Sequence, residues 1–380
     1  MVFLRSARIL PAFFAVSALA VLGCNAESAD DADSAVEEHV DDGAAALGNS
    51  TWAATATMAA GRYGHAALRL ANGEVLVAGG YNEAGFVGTA ERYASSTHAW
   101  TPSGTLAAAR QTPMLVGVAG GRAMVIGGIG AIDYLATTEI YSPSTSSWTA
   151  GPSMASAHYV GTASVSKTGI LVAGGVYANY LATAELYNLA TNTWSPAASM
   201  AEARWAHAAV TLVPSGKVLV VGGENASGFV SSAEIWDPTT NAWSPAGSLT
   251  SARRGHRASL LAGGKVLVVG GEDATGSLAG AEIYDPATNA WTVAAPMSTP
   301  RYLPAIIRSG NALLVIGGRT NDDYTATTEL FDLTTGTWSN GPTMTTGRYF
   351  ETATELPAAG GILVTGGWNG TSVQSSAEIY

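Results

Sequence analysis

Short apolar runs that end in a pair of glycines recur along the chain. Val75-Leu76-Val77-Ala78 leads into Gly79-Gly80 and Val266-Leu267-Val268-Val269 into Gly270-Gly271, and the same pair stands at Gly127-Gly128, Gly174-Gly175, Gly222-Gly223, Gly317-Gly318 and Gly366-Gly367. Successive pairs lie 47 to 49 residues apart. A period that regular marks a repeat architecture and overrides the two or three domains that the length alone would imply. Turn segments such as Ala71-Asn72-Gly73-Glu74 and Pro214-Ser215-Gly216-Lys217 precede several of the runs and predict hairpins. Eleven or twelve residues after the first Gly comes a Glu, followed two later by an aromatic: Glu91/Tyr93, Glu139/Tyr141, Glu185/Tyr187, Glu234/Trp236, Glu282/Tyr284, Glu329/Phe331 and Glu378/Tyr380. Nine residues past the first six of these Glu stands a Trp, at 100, 148, 194, 243, 291 and 338. Each unit therefore reads as four strands: an inner one, the Gly-Gly strand, the Glu-x-aromatic strand and an outer Trp strand.

These columns resemble the kelch repeat, whose signature is four apolar residues, Gly-Gly, a Tyr and a spaced Trp. The resemblance covers Trp52 to Tyr380 and implies an all-β fold, a seven-bladed kelch β-propeller with four-stranded blades. The seventh unit ends at Tyr380 without its Trp, whereas Trp52 precedes the first unit with the spacing to Met58 and Arg62 that Trp100 has to Leu106 and Arg110. The Trp52 segment is thus expected to be the outer strand of the last blade, closing the ring by pairing N-terminus with C-terminus.

Composition narrows the class. At 47% hydrophobic and 12% charged, the chain buries itself and is not disordered in bulk. Its 29 acids against 18 bases set a field that repels phosphate, so no nucleic-acid partner is expected. One cysteine, Cys24, excludes an internal disulfide and a multi-thiolate metal site. The 45 Gly, with 10 Trp and 14 Tyr beside 7 Phe, suit many short strands and tight turns.

The start of the chain reads as an address. Arg5 and Arg8 precede an apolar run from Ile9 to Gly23, short for a bilayer span but right for a secretory signal, residues 1–23. The run ends in Val21-Leu22-Gly23-Cys24, which resembles a bacterial lipobox, with Leu22 bulkier than the small residue common there. Acylation of Cys24 would make an exported cell-envelope lipoprotein, on the outer membrane or cell surface, that meets the membrane through its lipid anchor only; an ordinary signal cut near Ala26, giving a secreted protein, is the alternative. From 24 to 50 the chain carries eight acids and no Lys or Arg, as an extended self-repelling linker does. The propeller is then residues 51–380, only mildly acidic and expected to be a monomer.

Three columns offer binding chemistry. Ten residues past each Trp lie Arg62, Arg110, His158, Arg204, Arg253, Arg301 and Arg348. These face the channel mouth or, on the reading preferred for most of them, pair with the repeated Glu as buried ion pairs. The next column, Tyr63, Gln111, Tyr159, Trp205, Arg254, Tyr302 and Tyr349, serves inter-blade packing or a binding rim. In the loops after Gly-Gly stand Phe86, Tyr134, Tyr180, Phe229 and Tyr324, secondary candidates for ligand contact. Directly after Gly-Gly the residues vary: Tyr81, Ile129, Val176, Glu224, Glu272, Arg319 and Trp368. Ring closure would bring Trp368-Asn369 beside Tyr81-Asn82, with Arg62 and Arg348 beneath and Arg319 on the adjoining unit. That set is the first candidate ligand site, suited to a sugar ring or an extended peptide carrying acidic groups.

His65, His207 and His256 share a column but belong to units set apart on the ring, so they read as core histidines and no metal is expected. Some kelch propellers are enzymes. Galactose oxidase and its relatives use copper with two Tyr, two His and a Tyr cross-linked to Cys; with Cys24 in the signal region, that chemistry is not expected here. Sialic-acid mutarotases need only acid and base groups in the channel mouth. No Gly-Ser nucleophile elbow, phosphate loop or His-Glu metal motif occurs. The reading is a binding scaffold, without cofactor, for a carbohydrate, peptide or protein ligand on the Gly-Gly loop face; the alternative is a carbohydrate-acting, mutarotase-like enzyme in the channel mouth.

Overall fold

A run such as Val218-Leu219-Val220-Val221 is apolar at every position, so a strand made from it needs cover on both faces. The computed structural model, which describes residues 51–356 and 361–380, provides that cover by standing seven four-stranded antiparallel sheets side by side as blades. The signal, Cys24 and the acidic linker lie outside the described residues. In blade 4 the strands run Ala208–Leu212, Lys217–Val221, Ser232–Asp237 and Ala242–Ser248 from inside to outside, each paired with the next. The innermost strands of blades 1 to 7 are Ala66–Arg69, Met114–Val118, Thr162–Ser166, Ala208–Leu212, Arg257–Leu260, Ala305–Ser309 and Thr352–Leu356. Each contacts the one before and after it, and the seventh contacts the first, so the ring is closed.

Closure comes from the N-terminal side. Blade 7 runs Thr352–Leu356, Gly361–Thr365 and Ala377–Ile379, and its outer strand is Ala53–Thr55, with Ala53 opposite Ile379 and Thr55 opposite Ala377. Trp52 sits 5.2 Å from Tyr380, matching the 5.1 Å between Tyr93 and Trp100 inside blade 1. The other Trp of this column also staple neighbours: the Trp148 indole donates to the Ser103 carbonyl of blade 1, and Trp291 to Ala246 of blade 4.

The core is a set of blade interfaces, and strand alternation assigns residues to them. Val218 and Val220 pack with Leu171 and Ala173 of blade 3, whereas Leu219 and Val221 pack with Val266 and Val268 of blade 5. At the closure seam Leu356, Leu363 and Ala377 meet Ala67, Val75 and Val77.

The chain crosses between blades through a buried ion pair. Arg62, fully buried, donates from Nη1 to the Gly79 and Thr89 carbonyls at 2.9 and 2.8 Å and from Nη2 to Glu91 at 2.8 Å. Glu91 in turn accepts the Ala59 N–H at 2.8 Å, so the turn entering blade 1 is clamped to that blade's second and third strands. Arg110–Glu139, Arg204–Glu234, Arg253–Glu282, Arg301–Glu329 and Arg348–Glu378 repeat the clamp at 2.7 to 3.1 Å. In blade 3 His158 replaces the Arg, with Nδ1 2.7 Å from the Gly174 carbonyl oxygen and Nε2 3.4 Å from Glu185.

A chain beginning at Gly61 lacks the outer strand of blade 7 and the backbone donors that Glu91 requires. Thermal unfolding should place it at least several degrees below a chain beginning at Thr51, with aggregation through the unpaired edge. Equal melting temperatures would show that Ala53–Thr55 contributes nothing to closure.

Candidate ligand-binding face

The backbone itself floors the channel mouth. Two residues past each clamp position lie Gly64, Thr112, Val160, Ala206, Gly255, Leu303 and Phe350, all buried and all with φ between 47° and 61°. In this left-handed conformation five of the seven donate to the blade before them: Thr112 to Gly64, Ala206 to Val160, Gly255 to Ala206, Leu303 to Gly255, and Gly64 across the seam to Phe350. A β-branched residue in this region costs on the order of 1–3 kcal/mol, so Thr112 and Val160 hold it only because ring bonds and packing fix them. At Gly255 a Cβ would lie 2.2 Å from the Tyr302 ring, which leaves no alternative to glycine there.

Above this girdle, each chain segment after Gly-Gly bridges back to the incoming turn of its own blade, Tyr81 to Tyr63, Glu224 to Trp205, Arg254 to Glu272, Arg319 to Tyr302 and Trp368 to Tyr349. Tyr81 and Trp368 both pack against the Tyr63 ring, at 5.8 and 6.2 Å, and both are half-buried. Their amide neighbours are engaged in loop structure. Asn82 donates to the Gly61 carbonyl and accepts from Ala84, while the Asn369 side-chain oxygen accepts the N–H groups of Thr371 and Ser372. Arg62 and Arg348 do lie beneath, but they are fully buried in their clamps and present no surface to a ligand. The site is therefore the aromatic pair and its rim without these two arginines.

The five secondary aromatics are half-buried, and four of them follow one rule. Tyr134 packs on Tyr159 at 5.4 Å, Tyr180 on Trp205 at 6.3 Å and Tyr324 on Tyr349 at 5.1 Å, while Phe229 lies under the Arg254 guanidinium at 5.5 Å. Each covers the residue that follows the clamp position of the next blade. For Phe86 the equivalent residue of the next blade is Gln111, and Phe86 packs instead on Tyr81 at 5.0 Å. Four of these side chains therefore stitch neighbouring blades together.

Across the ring the same positions carry charge, a feature that column-by-column reading did not find. Arg254 pairs with Glu224 of blade 4 and, at 2.7 Å, with Glu272 of its own blade, and Glu272 pairs with Arg319 of blade 6. Arg319 lies 4.8 Å over Tyr302 and Arg254 5.6 Å over Trp205, cation–π contacts that hold both guanidiniums to the floor. The available signal was the unlike charges Glu224, Arg254, Glu272 and Arg319 in adjoining columns of three consecutive units. Arg319, the predicted site residue, thus belongs to an ionic arc rather than to the Tyr81–Trp368 pair.

Beneath the girdle, His65, His207, His256 and Glu351 occupy one column, each pressed against the first Gly of the Gly-Gly pair in the preceding blade. Where that blade supplies a Thr, the ring is partnered: His65 with Thr352 at 2.9 Å and His207 with Thr162 at 3.0 Å. Blades 4 and 6 offer Ala208 and Ala305 instead. Both His256 ring nitrogens consequently have no partner among the described residues, and Glu351 keeps one oxygen on the Ala305 N–H with the other unpaired. Burial pushes His65 and His207 down to about 3 and Glu351 up to about 8. Among the described residues no three of His, Cys, Asp or Glu gather in metal-binding geometry.

Because Glu351 holds its proton more tightly folded than unfolded, its contribution is complete below about pH 4.5 and is lost as pH rises toward 8. The three histidines act in the opposite sense, losing their contribution as pH falls below their ordinary range. Denaturant unfolding of Glu351→Gln should show a variant that gains on the parent steadily from pH 5 to 8. A parallel offset at every pH would mean that Glu351 does not titrate in this window.

The Kelch motif matches residues 112–155, and the Attractin/LZTR1 beta-propeller matches residues 156–376. Comparison with curated proteins returns no significant match. Among solved structures, one described as a novel fungal alcohol oxidase with catalytic diversity among the AA5 family, in complex with copper, aligns with a TM-score of 0.68 at 20% identity. The alignment covers 86% of this chain and 75% of that one. At that identity the likeness speaks for the fold alone. With more than half of its length matched and seven kelch blades in its structure, this chain belongs to the Attractin/LZTR1 beta-propeller family.

Proposed function

We propose that this protein is an exported, lipid-anchored binding scaffold that takes a carbohydrate or peptide ligand on its Gly-Gly loop face. The observation that carries the reading is the pair Tyr81 and Trp368, two half-exposed aromatics held on one Tyr63 ring above a hydrogen-bonded floor. Such a platform is rigid before the ligand arrives, so little ordering entropy is lost on binding. The loops that carry it differ in sequence from blade to blade while the clamps beneath are Arg–Glu in six of the seven, which separates recognition from folding.

Acid–base turnover in the mouth is less well supported. Glu224 and Glu272, directly after Gly-Gly in their loops, both carry arginine partners, and Glu351 beneath the girdle is buried. A groove of about 600 Å³ on the flank of blade 4 contains Glu202 and Glu234, but Glu234 is in a clamp and Glu202 bonds Asn225 and Ser232.

Two measurements test the reading. Labelling cells with a fatty-acid analogue should mark the mature protein, and Cys24→Ala should abolish the mark; an unlabelled parent with its N-terminus beyond Cys24 refutes the anchor. Screening on glycan and peptide arrays should yield a ligand whose affinity drops by about 1–3 kcal/mol in each of Tyr81→Ala and Trp368→Ala, with melting temperatures within a few degrees of the parent. Normal binding by both variants would move the site off this platform.

A further inference from the structure

We infer that the Gly-Gly loop face recognises a cationic peptide, one carrying Lys or Arg beside a bulky apolar residue. This rests on the reading of that face as the binding face and assigns its ligand a charge. Two observations carry it, one electrostatic and one apolar.

The charge of the face is decided by which side chains remain after pairing. The clamp arginines are buried, and Arg254 and Arg319 are matched by Glu224 and Glu272. Glu83, Asp133, Asp273, Asp322 and Asp323 then stand on the loops with no ion-pair partner among the described residues. Glu83 accepts only the Val373 N–H, and Asp133 and Asp323 only the N–H of the residue that follows each. The three lysines of the described chain, Lys167, Lys217 and Lys265, lie at the turns between inner and second strands, on the opposite face. There, acids match cations: Lys217 with Asp237, Lys265 with Asp285 and Arg69 with Glu355. The molecule is thus polarised, and its excess negative charge sits around the ring of loop tips.

Two of the three exposed large apolar side chains among the described residues fall on the same side, the third, Val293, standing on the outer strand of blade 5. Ile132, at the tip of the blade 2 loop, is 100% exposed, and Tyr177 on the blade 3 loop is 43% exposed. Tyr177 stands edge-on to Tyr134 at 6.2 Å, and Asp133 links the Tyr pair to Ile132 along the chain. Folding does not explain a fully exposed isoleucine beside two tyrosines and a carboxylate. A partner with an apolar side chain for Ile132 and Tyr177, and an ammonium or guanidinium for Asp133 and the tyrosine faces, satisfies all four groups. An acidic peptide would meet five unmatched carboxylates, while among the described residues the one arginine of this side outside an ion pair, Arg257, is buried on the inner strand of blade 5 with its Nε donating to the Pro304 carbonyl.

The test uses two synthetic peptide pools of equal length, alternating Leu or Tyr with Lys and Arg in one and with Asp and Glu in the other, together with neutral oligosaccharides. The expected result is binding of the basic pool, with affinity falling about tenfold between about 50 and 300 mM salt. The double variant Glu83→Gln/Asp133→Asn keeps the acceptors for Val373 and Tyr134 and should weaken binding several-fold, as should Tyr177→Ala. Glu355→Gln, on the opposite face, should leave it unchanged. Failure of the basic pool to bind overturns the inference. If the acidic pool or an oligosaccharide binds instead, in a manner sensitive to Tyr81→Ala and Trp368→Ala, the charge assignment falls while the face stands. If the basic pool binds but responds only to Glu355→Gln, both fall.

Discussion

The arginine–glutamate clamp is the interaction on which the rest of the molecule depends. At every blade boundary the chain leaves an outer strand and enters an inner one, and the backbone groups of that turn have no ladder to join. Arg62 supplies donors to the Gly79 and Thr89 carbonyls and to Glu91, and Glu91 supplies the acceptor for Ala59. A guanidinium suits the place because its fixed fork serves three acceptors at once without losing its charge. Burial lowers the guanidinium pKa, and the glutamate opposes that shift without cancelling it. Neither ion is tolerable there alone: removing one member of such a pair costs on the order of 3–5 kcal/mol.

Because the clamp grips the carbonyl of the first Gly of the pair, it also fixes where each Gly-Gly loop begins. The loops then inherit their spacing from the blades and need little internal structure to stay in place. Between blades the contacts are apolar and alternate by face, with Val218 and Val220 turned one way and Leu219 and Val221 the other. The girdle from Gly64 to Phe350 adds backbone bonds across five of the seven blade boundaries where the inner strands begin. Together these leave the loop tips as the parts of the propeller freest to vary without loss of fold.

What the tips present is uneven around the ring. Blades 1, 2, 3 and 7 carry Tyr81, Tyr134, Tyr177 and Trp368, while blades 4 to 6 carry the linked charges Glu224, Arg254, Glu272 and Arg319. The ionic arc neutralises itself and is pinned by cation–π contacts, so it behaves as scaffold. The aromatic arc remains partly open and is bordered by unmatched carboxylates, a combination that serves attraction at a distance and apolar contact at close range.

Blade number, strand order, closure through Trp52 and the pairing of the Arg and Glu columns were legible in the chain because each is a local spacing copied seven times. A repeat makes its own periodicity, and one unit's pattern supports the reading of the next. Features that arise between units were not legible. Nothing in Thr112 or Val160 announces a left-handed backbone, since their φ follows from bonds to neighbouring blades rather than from their own preference. Asn82 and Asn369 look available to a ligand in sequence, yet local turns use them. Arg62 and Arg348 look ready for acidic ligands, yet burial leaves an anionic face above them. Periodic identity along the chain determined the architecture; which side chains kept an unmatched charge or an open ring edge was decided only when ring closure set residues from different blades against one another.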